Sequence, residues 1–91
     1  MAEMKSVGVV GAGQMGSGIA QLAATSGLDV WLMDADRDAL SRATAVISSS
    51  FKRFVSKGLI SKEVGDDAMH RLRLTSNLDD LCSADIIVEV T

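Results

Sequence analysis

Gly11, Gly13 and Gly16 stand in the stretch VGVVGAGQMGSGIAQ with the spacing GxGxxG. Each position has a physical task. The first glycine permits a tight turn, the second leaves room for a pyrophosphate to approach the backbone, and the third lets a helix pack closely on a strand. The anion needs no charged side chain, because the free amides and positive dipole of a helix beginning near Gln14 would face it. Asp34 follows the first glycine at about the 20-residue interval of an acid that accepts hydrogen bonds from an adenosine ribose. That acid also repels the extra phosphate of NADP, so NAD is favoured, with Arg37 as a nearby charge of the opposite preference. Flavin adenine dinucleotide uses the same fingerprint, so the turn alone does not select nicotinamide.

These residues work only if particular elements hold them. Val7-Gly8-Val9-Val10 reads as a buried parallel strand, and Ile19, Ala20, Leu22 and Ala23 as one face of the helix that follows. Gly18 reads as a close-packing residue within that helix. Ser26-Gly27 ends it, and Val30-Trp31-Leu32-Met33 gives a second strand with Asp34 at its carboxyl end. From about Asp36 to Lys57 the apolar residues Leu40, Ala43, Ile47, Phe51 and Phe54 recur at helical spacing. Gly58 closes that helix, and Ser61 can cap another in which Val64, Ala68 and Leu72 share a face, with Gly65 weakening it.

Arg73-Leu74-Thr75 reads as a third strand, a brief helix capped by Ser76 or Asn77 runs to Leu81, and Ile86-Ile87-Val88 reads as a fourth, buried strand. The order calls for an α/β, Rossmann-type parallel sheet of four strands, 3-2-1-4, with right-handed crossovers and helices on both faces. The ligand crevice belongs at the switch between the first and fourth strands.

The remaining reactive side chains are few. His70 lies on the short second helix of the pair, away from the carboxyl ends of the strands, and receives no catalytic role. Cys82, the only cysteine, reads as a small core residue; with no partner it forms no intrachain disulfide and no cysteine metal cluster. A reducing, intracellular compartment fits, with no amino-terminal signal in MAEMKSVGVV; cytoplasm and peroxisome both remain open. A net charge of −3 argues against general attraction to nucleic acid or anionic membrane, and no apolar stretch approaches the roughly 18 residues that span a bilayer.

VGVVGAGQMGSGIAQLAATSGLDVWLMDAD, the helical pair over about 38–72, and LTSNLDDLCSADIIVE resemble the NAD-binding domain of the 3-hydroxyacyl-CoA dehydrogenases, including the 3-hydroxybutyryl-CoA type. The resemblance covers essentially the whole chain. It implies interconversion of 3-hydroxyacyl-CoA and 3-oxoacyl-CoA with NAD, in fatty-acid or short-chain acyl metabolism. Carried over by position, Gly11, Gly13, Gln14, Met15 and Gly16 would line the pyrophosphate, Asp34 would hold the ribose, and Ser50 and Lys57 on the long helix would touch coenzyme A. Residues seven apart share a helix face, so the last two could reach one ligand.

The family's catalytic His and its orienting Glu belong to segments after the fourth strand, and no residue of 1–91 matches them. Where the family continues Glu-Ala-Ile or Glu-Ala-Val and then a further acid, this chain has Glu89-Val90-Thr91. The resemblance therefore implies a partial domain, 1–91, without the helical domain that closes on substrate and makes the homodimer, and without catalysis of its own. Two alternatives stand beside it: a non-catalytic NAD-binding or interaction module, and another 3-hydroxyacid dehydrogenase type. Relatives of the last kind commonly carry Asn-Arg-Thr where this chain has Asp34-Ala35-Asp36.

Overall fold

A computed structural model describes residues 4–90. The chain runs β1 (Ser6–Val10), α1 (Gln14–Thr25), β2 (Asp29–Met33), α2 (Arg37–Ser56), α3 (Lys62–Arg71), β3 (Leu72–Thr75), a 3-10 turn (Leu78–Leu81) and β4 (Ile86–Glu89). The strands form one sheet in the order β3-β2-β1-β4, every pair parallel. This is the Rossmann-type order expected from the sequence. The switch point between the paired strands β1 and β4 arises because β2 and β3 step to one side of β1 and the chain then crosses back to the other.

Register decides which side chains share a face. Val7 pairs with Val30 and Ile86, and Val9 with Leu32 and Val88, so these point to one side of the sheet. There Val9, Val30 and Leu32 are fully buried against Ala20 and Ala24 of α1, Leu40, Ala43, Ile47 and Phe51 of α2, and Ala68 of α3. Small residues on α1 bring its axis close to the sheet; full burial of a side chain such as Ile47 stabilises the fold by about 1.5–3 kcal/mol.

The second face is covered thinly. Among the described residues its helical cover is the 3-10 turn alone, whose fully buried Leu81 lies against the bare backbone of Gly8. Trp31 on this side is shielded by the Arg73 guanidinium, 5.5 Å from the ring centroid. Ile86 and Ile87 of β4 are 46% and 51% exposed among the described residues, where the composition suggests a buried strand.

Other expectations are corrected the same way. Leu22 is 70% exposed, because the buried stripe of α1 runs through Ala20 and Ala24 instead. Gly18 is exposed and a methyl group there would meet nothing, so it is not a packing glycine. Val64 points outward, while Gly65 and Ala68 form the buried face of α3 and Leu72 belongs to β3. Cys82 is exposed, at the end of the 3-10 turn rather than in the core.

Asp85 fastens the start of β1 to the start of β4. Its Oδ2 accepts from the amides of Lys5 and Ser6 at 2.6 and 3.0 Å, and its own amide donates to Ser6 Oγ at 3.0 Å. Those two amides hold its carboxyl below the usual aspartate range.

Candidate functional site

The glycine turn begins where β1 ends. Gly11 has φ +110°, open to glycine and strained for other residues, and its amide donates to the carbonyl of Met33 at 2.8 Å, tying the end of β1 to the end of β2. A side chain on Gly11 would collide with the Val90 carbonyl, and one on Gly16 with the carbonyl of Gly11. The first turn of α1 therefore rests directly on the loop. Gly13, by contrast, faces open space. Gln14 and Met15 beside it are exposed, Met15 by 69%.

The amino end of α1 is also unlike the others. Asp36 accepts from the amide of Asp38 to cap α2, Ser61 from Val64 to cap α3, and Asn77 from Asp79 to cap the 3-10 turn. Gly13 gives α1 no side-chain cap, and no acid lies in its first turn. Its first turn lines a cleft of about 370 Å³ bounded by Ala12, Gly13, Gln14 and Ser17 on one wall and Ala39, Arg42, Ala43 and Val46 of α2 on the other. Amides free of partners at a positive helix end form a site for an anion.

Asp34 leaves β2 at the rim of this turn. Its Oδ2 accepts from the Ala12 amide at 2.8 Å and its Oδ1 from the Asp36 amide at 2.9 Å. The Ala12 amide and then the Asp36 amide hold the carboxyl below its ordinary range; partial burial opposes them and Arg42 reinforces them. Asp34 is thus an anion at neutral pH. Each oxygen keeps a lone pair for a further donor such as a sugar hydroxyl.

Two residues escaped the sequence reading. Ser17 is buried and its hydroxyl donates to the Ala12 carbonyl at 3.2 Å. Ala12, 4% exposed, therefore has its amide held by β2's end and its carbonyl by α1. A serine in the first turn of a helix was the only signal, and it suits many helices.

The proposed coenzyme A pair has a mixed geometry. Ser50 is buried, its Oγ accepting from Gln21 Nε2 at 3.1 Å and from an Arg53 guanidinium nitrogen at 3.3 Å, while Lys57 is exposed at the carboxyl cap of α2. His70 is exposed on α3, remote from the glycine turn. A larger groove, about 480 Å³, lies between α2 and α3 and shares no lining residue with the cleft at the turn. Among the described residues no group of three His, Cys, Asp or Glu is placed to hold a metal, and no helix is long and apolar enough to cross a membrane.

The family model described as 3-hydroxyacyl-CoA dehydrogenase, NAD binding domain, matches residues 6–91. The chain belongs to that family. It is 43% identical over 88 residues to a 3-hydroxybutyryl-CoA dehydrogenase of Bradyrhizobium diazoefficiens, covering 97% of this chain and 30% of the relative. A 3-hydroxybutyryl-CoA dehydrogenase of Mycobacterium tuberculosis is 36% identical over 86 residues, again with 30% of its length covered. The solved (S)-3-hydroxybutyryl-CoA dehydrogenase of Ralstonia eutropha superposes with TM-score 0.93 at 35% identity, over 98% of this chain and 31% of that one. The chain thus spans about 30% of the length of these relatives, and the portion it spans is the one that the family model describes as NAD-binding.

Proposed function

We propose that residues 1–91 are the NAD-binding part of an oxidoreductase that interconverts 3-hydroxyacyl-CoA and 3-oxoacyl-CoA in fatty-acid or short-chain acyl metabolism. The observation that carries this reading is the α1 amino end, left without a side-chain cap above a glycine turn whose central amide is held by Asp34. In this reading the backbone of Gly11, Gly13, Gln14, Met15 and Gly16 lines the pyrophosphate. Asp34 accepts from the adenosine ribose hydroxyls. NAD, when bound, supplies the acceptor for the hydride that leaves C3 of the hydroxyacyl group.

The chain's own residues bind and orient; none of them is assigned the hydroxyl proton. Ser50 and Lys57 are proposed to meet the phosphates of the acyl-CoA substrate. The Ser50 oxygen already accepts two hydrogen bonds, which leaves its proton free to donate, and the Arg53 guanidinium beside it adds positive charge. The rest of the reading is a helical substrate domain and a homodimeric assembly supplied by other segments, in a reducing cytoplasm or peroxisome. Neither nucleic acid nor membrane is a partner in it.

Calorimetric titration of the 91-residue chain with NADH and NADPH, with circular dichroism to establish folding, tests this reading. Saturable NADH binding, weaker for NADPH and weakened by Asp34→Ala, is the expected outcome. A folded chain that binds neither dinucleotide overturns it.

A further inference from the structure

The cleft beside the glycine turn has two walls, and only one belongs to the fingerprint. On the α2 wall Ala39, Ala43 and Val46 are uncharged, and Arg42 is the only charged residue lining the cleft. Its nearest carboxylate is Asp36 Oδ2 at 3.9 Å, beyond hydrogen-bond length, with both side chains well exposed. Among the described residues Arg42 donates no hydrogen bond, so a planar fork of five N–H donors stands unused at the cleft mouth.

Asp36 spends its Oδ1 capping α2 and turns Oδ2 toward Arg42. The loose pair keeps the guanidinium near the cleft without consuming its donors. Charge along the cleft is then ordered: carboxylate at the rim where Asp34 holds the turn, helix amides on one wall, guanidinium on the other. That order matches a ligand with sugar hydroxyls at one end and a diphosphate next to them.

We propose that Arg42 is a diphosphate contact, closing a two-sided grip in which the α1 amides hold the pyrophosphate of a nicotinamide dinucleotide from one wall and the guanidinium from the other. The inference rests on the dinucleotide reading above and adds to it a side chain outside the glycine motif that sets affinity. Guanidinium geometry suits two phosphate oxygens at once, which an ammonium matches only as a point charge.

The test titrates the wild-type chain, Arg42→Ala and Arg42→Lys with NADH, NADPH and ADP-ribose, which keeps the diphosphate and lacks nicotinamide. Arg42→Ala is expected to weaken all three by about tenfold, a value usual for one charge-assisted hydrogen-bonding group. Arg42→Lys recovers part of the loss, and the Ala variant shows a shallower dependence on salt. Unchanged ADP-ribose affinity in Arg42→Ala overturns the inference while wild-type NADH binding leaves the dinucleotide reading standing. A loss confined to NADPH overturns it too, by assigning Arg42 to the ribose phosphate. Wild-type chain that binds none of the three overturns both.

Discussion

The amino ends of α1 and α2 lie on opposite walls of one cleft and solve the same problem in opposite ways. Four leading amides of any helix lack intrahelical partners. On α2 the protein supplies the partner: Asp36 accepts from Asp38, and Asp38 adds a negative charge in the first turn. On α1 the cap position is Gly13, with no side-chain bond and no acid. One helix end is finished by the chain and the other is left without a side-chain cap, so the stability supplied at α2 and the binding proposed for α1 can be varied separately.

The sharpest way to break that contrast is to place methyl groups on its glycines. Gly16→Ala drives a carbon into the Gly11 carbonyl and is expected to destabilise the chain by about 3 kcal/mol, read as a shifted urea midpoint. Gly13→Ala meets only open space and is expected to stay within about 0.5 kcal/mol of wild type while reducing NADH affinity. Equal destabilisation by both would mean that the turn is shaped for packing alone.

Exchanging the caps comes next. Asp36→Ala removes the α2 cap and the loose partner of Arg42, with an expected loss of about 1 kcal/mol of stability and NADH binding weakened less than by Arg42→Ala. Gly13→Asp gives α1 a cap of its own, expected to add a few tenths of a kcal/mol to the free chain and to displace the diphosphate from its amides. A Gly13→Asp chain that binds NADH as wild type does would sink the assignment of those amides to the ligand.

Acid probes the carboxylate between the two ends. Asp34 and Asp85 are held below the usual aspartate range by backbone amides, Ala12 foremost for one and Lys5 for the other. A carboxyl lowered on folding contributes stability above its unfolded value, and that contribution disappears as pH falls through the folded one. Unfolding midpoints should therefore drop on acidification below the ordinary carboxylate range. Asp34→Asn should drop less steeply, and a variant with the wild-type acid slope would remove Asp34 from this latch.

An effect of opposite sign belongs to a glycine away from the cleft. Gly65 is buried in α3, yet a methyl group there would only reach ordinary contact with Val55, at 3.4 Å. Gly65→Ala is expected to raise stability by about 0.5–1 kcal/mol, the opposite sign from Gly16→Ala, in the same denaturation assay.

The glycine turn, the place of Asp34 at the end of β2, and caps at Ser61 and at Ser76 or Asn77 were legible because each depends on residues a few positions apart or on a standard spacing; the structure chose Asn77 and added Asp36 as the cap of α2. The apolar run Ile86-Ile87-Val88 misled, since it states that a strand tends to be covered and not what covers it. Leu22, Gly18 and Cys82 misled similarly. A helix or turn can rotate its buried stripe by one residue without changing its composition, and packing against the sheet chooses the rotation.

By itself the sequence determined the strand, turn and helix that build the glycine turn, and the parallel order that follows from right-handed crossovers. Those are consequences of backbone stereochemistry and period, which neighbours along the chain control. Only the tertiary structure decided that Asp34 would hold the Ala12 amide, that Ser17 would hold its carbonyl, that Ser50 would turn inward to Gln21, and that Arg42 would face α1 across a cleft. Each joins residues from separate positions through a hydrogen bond or a shared wall, and such directional contacts exist only once the sheet has brought their elements together.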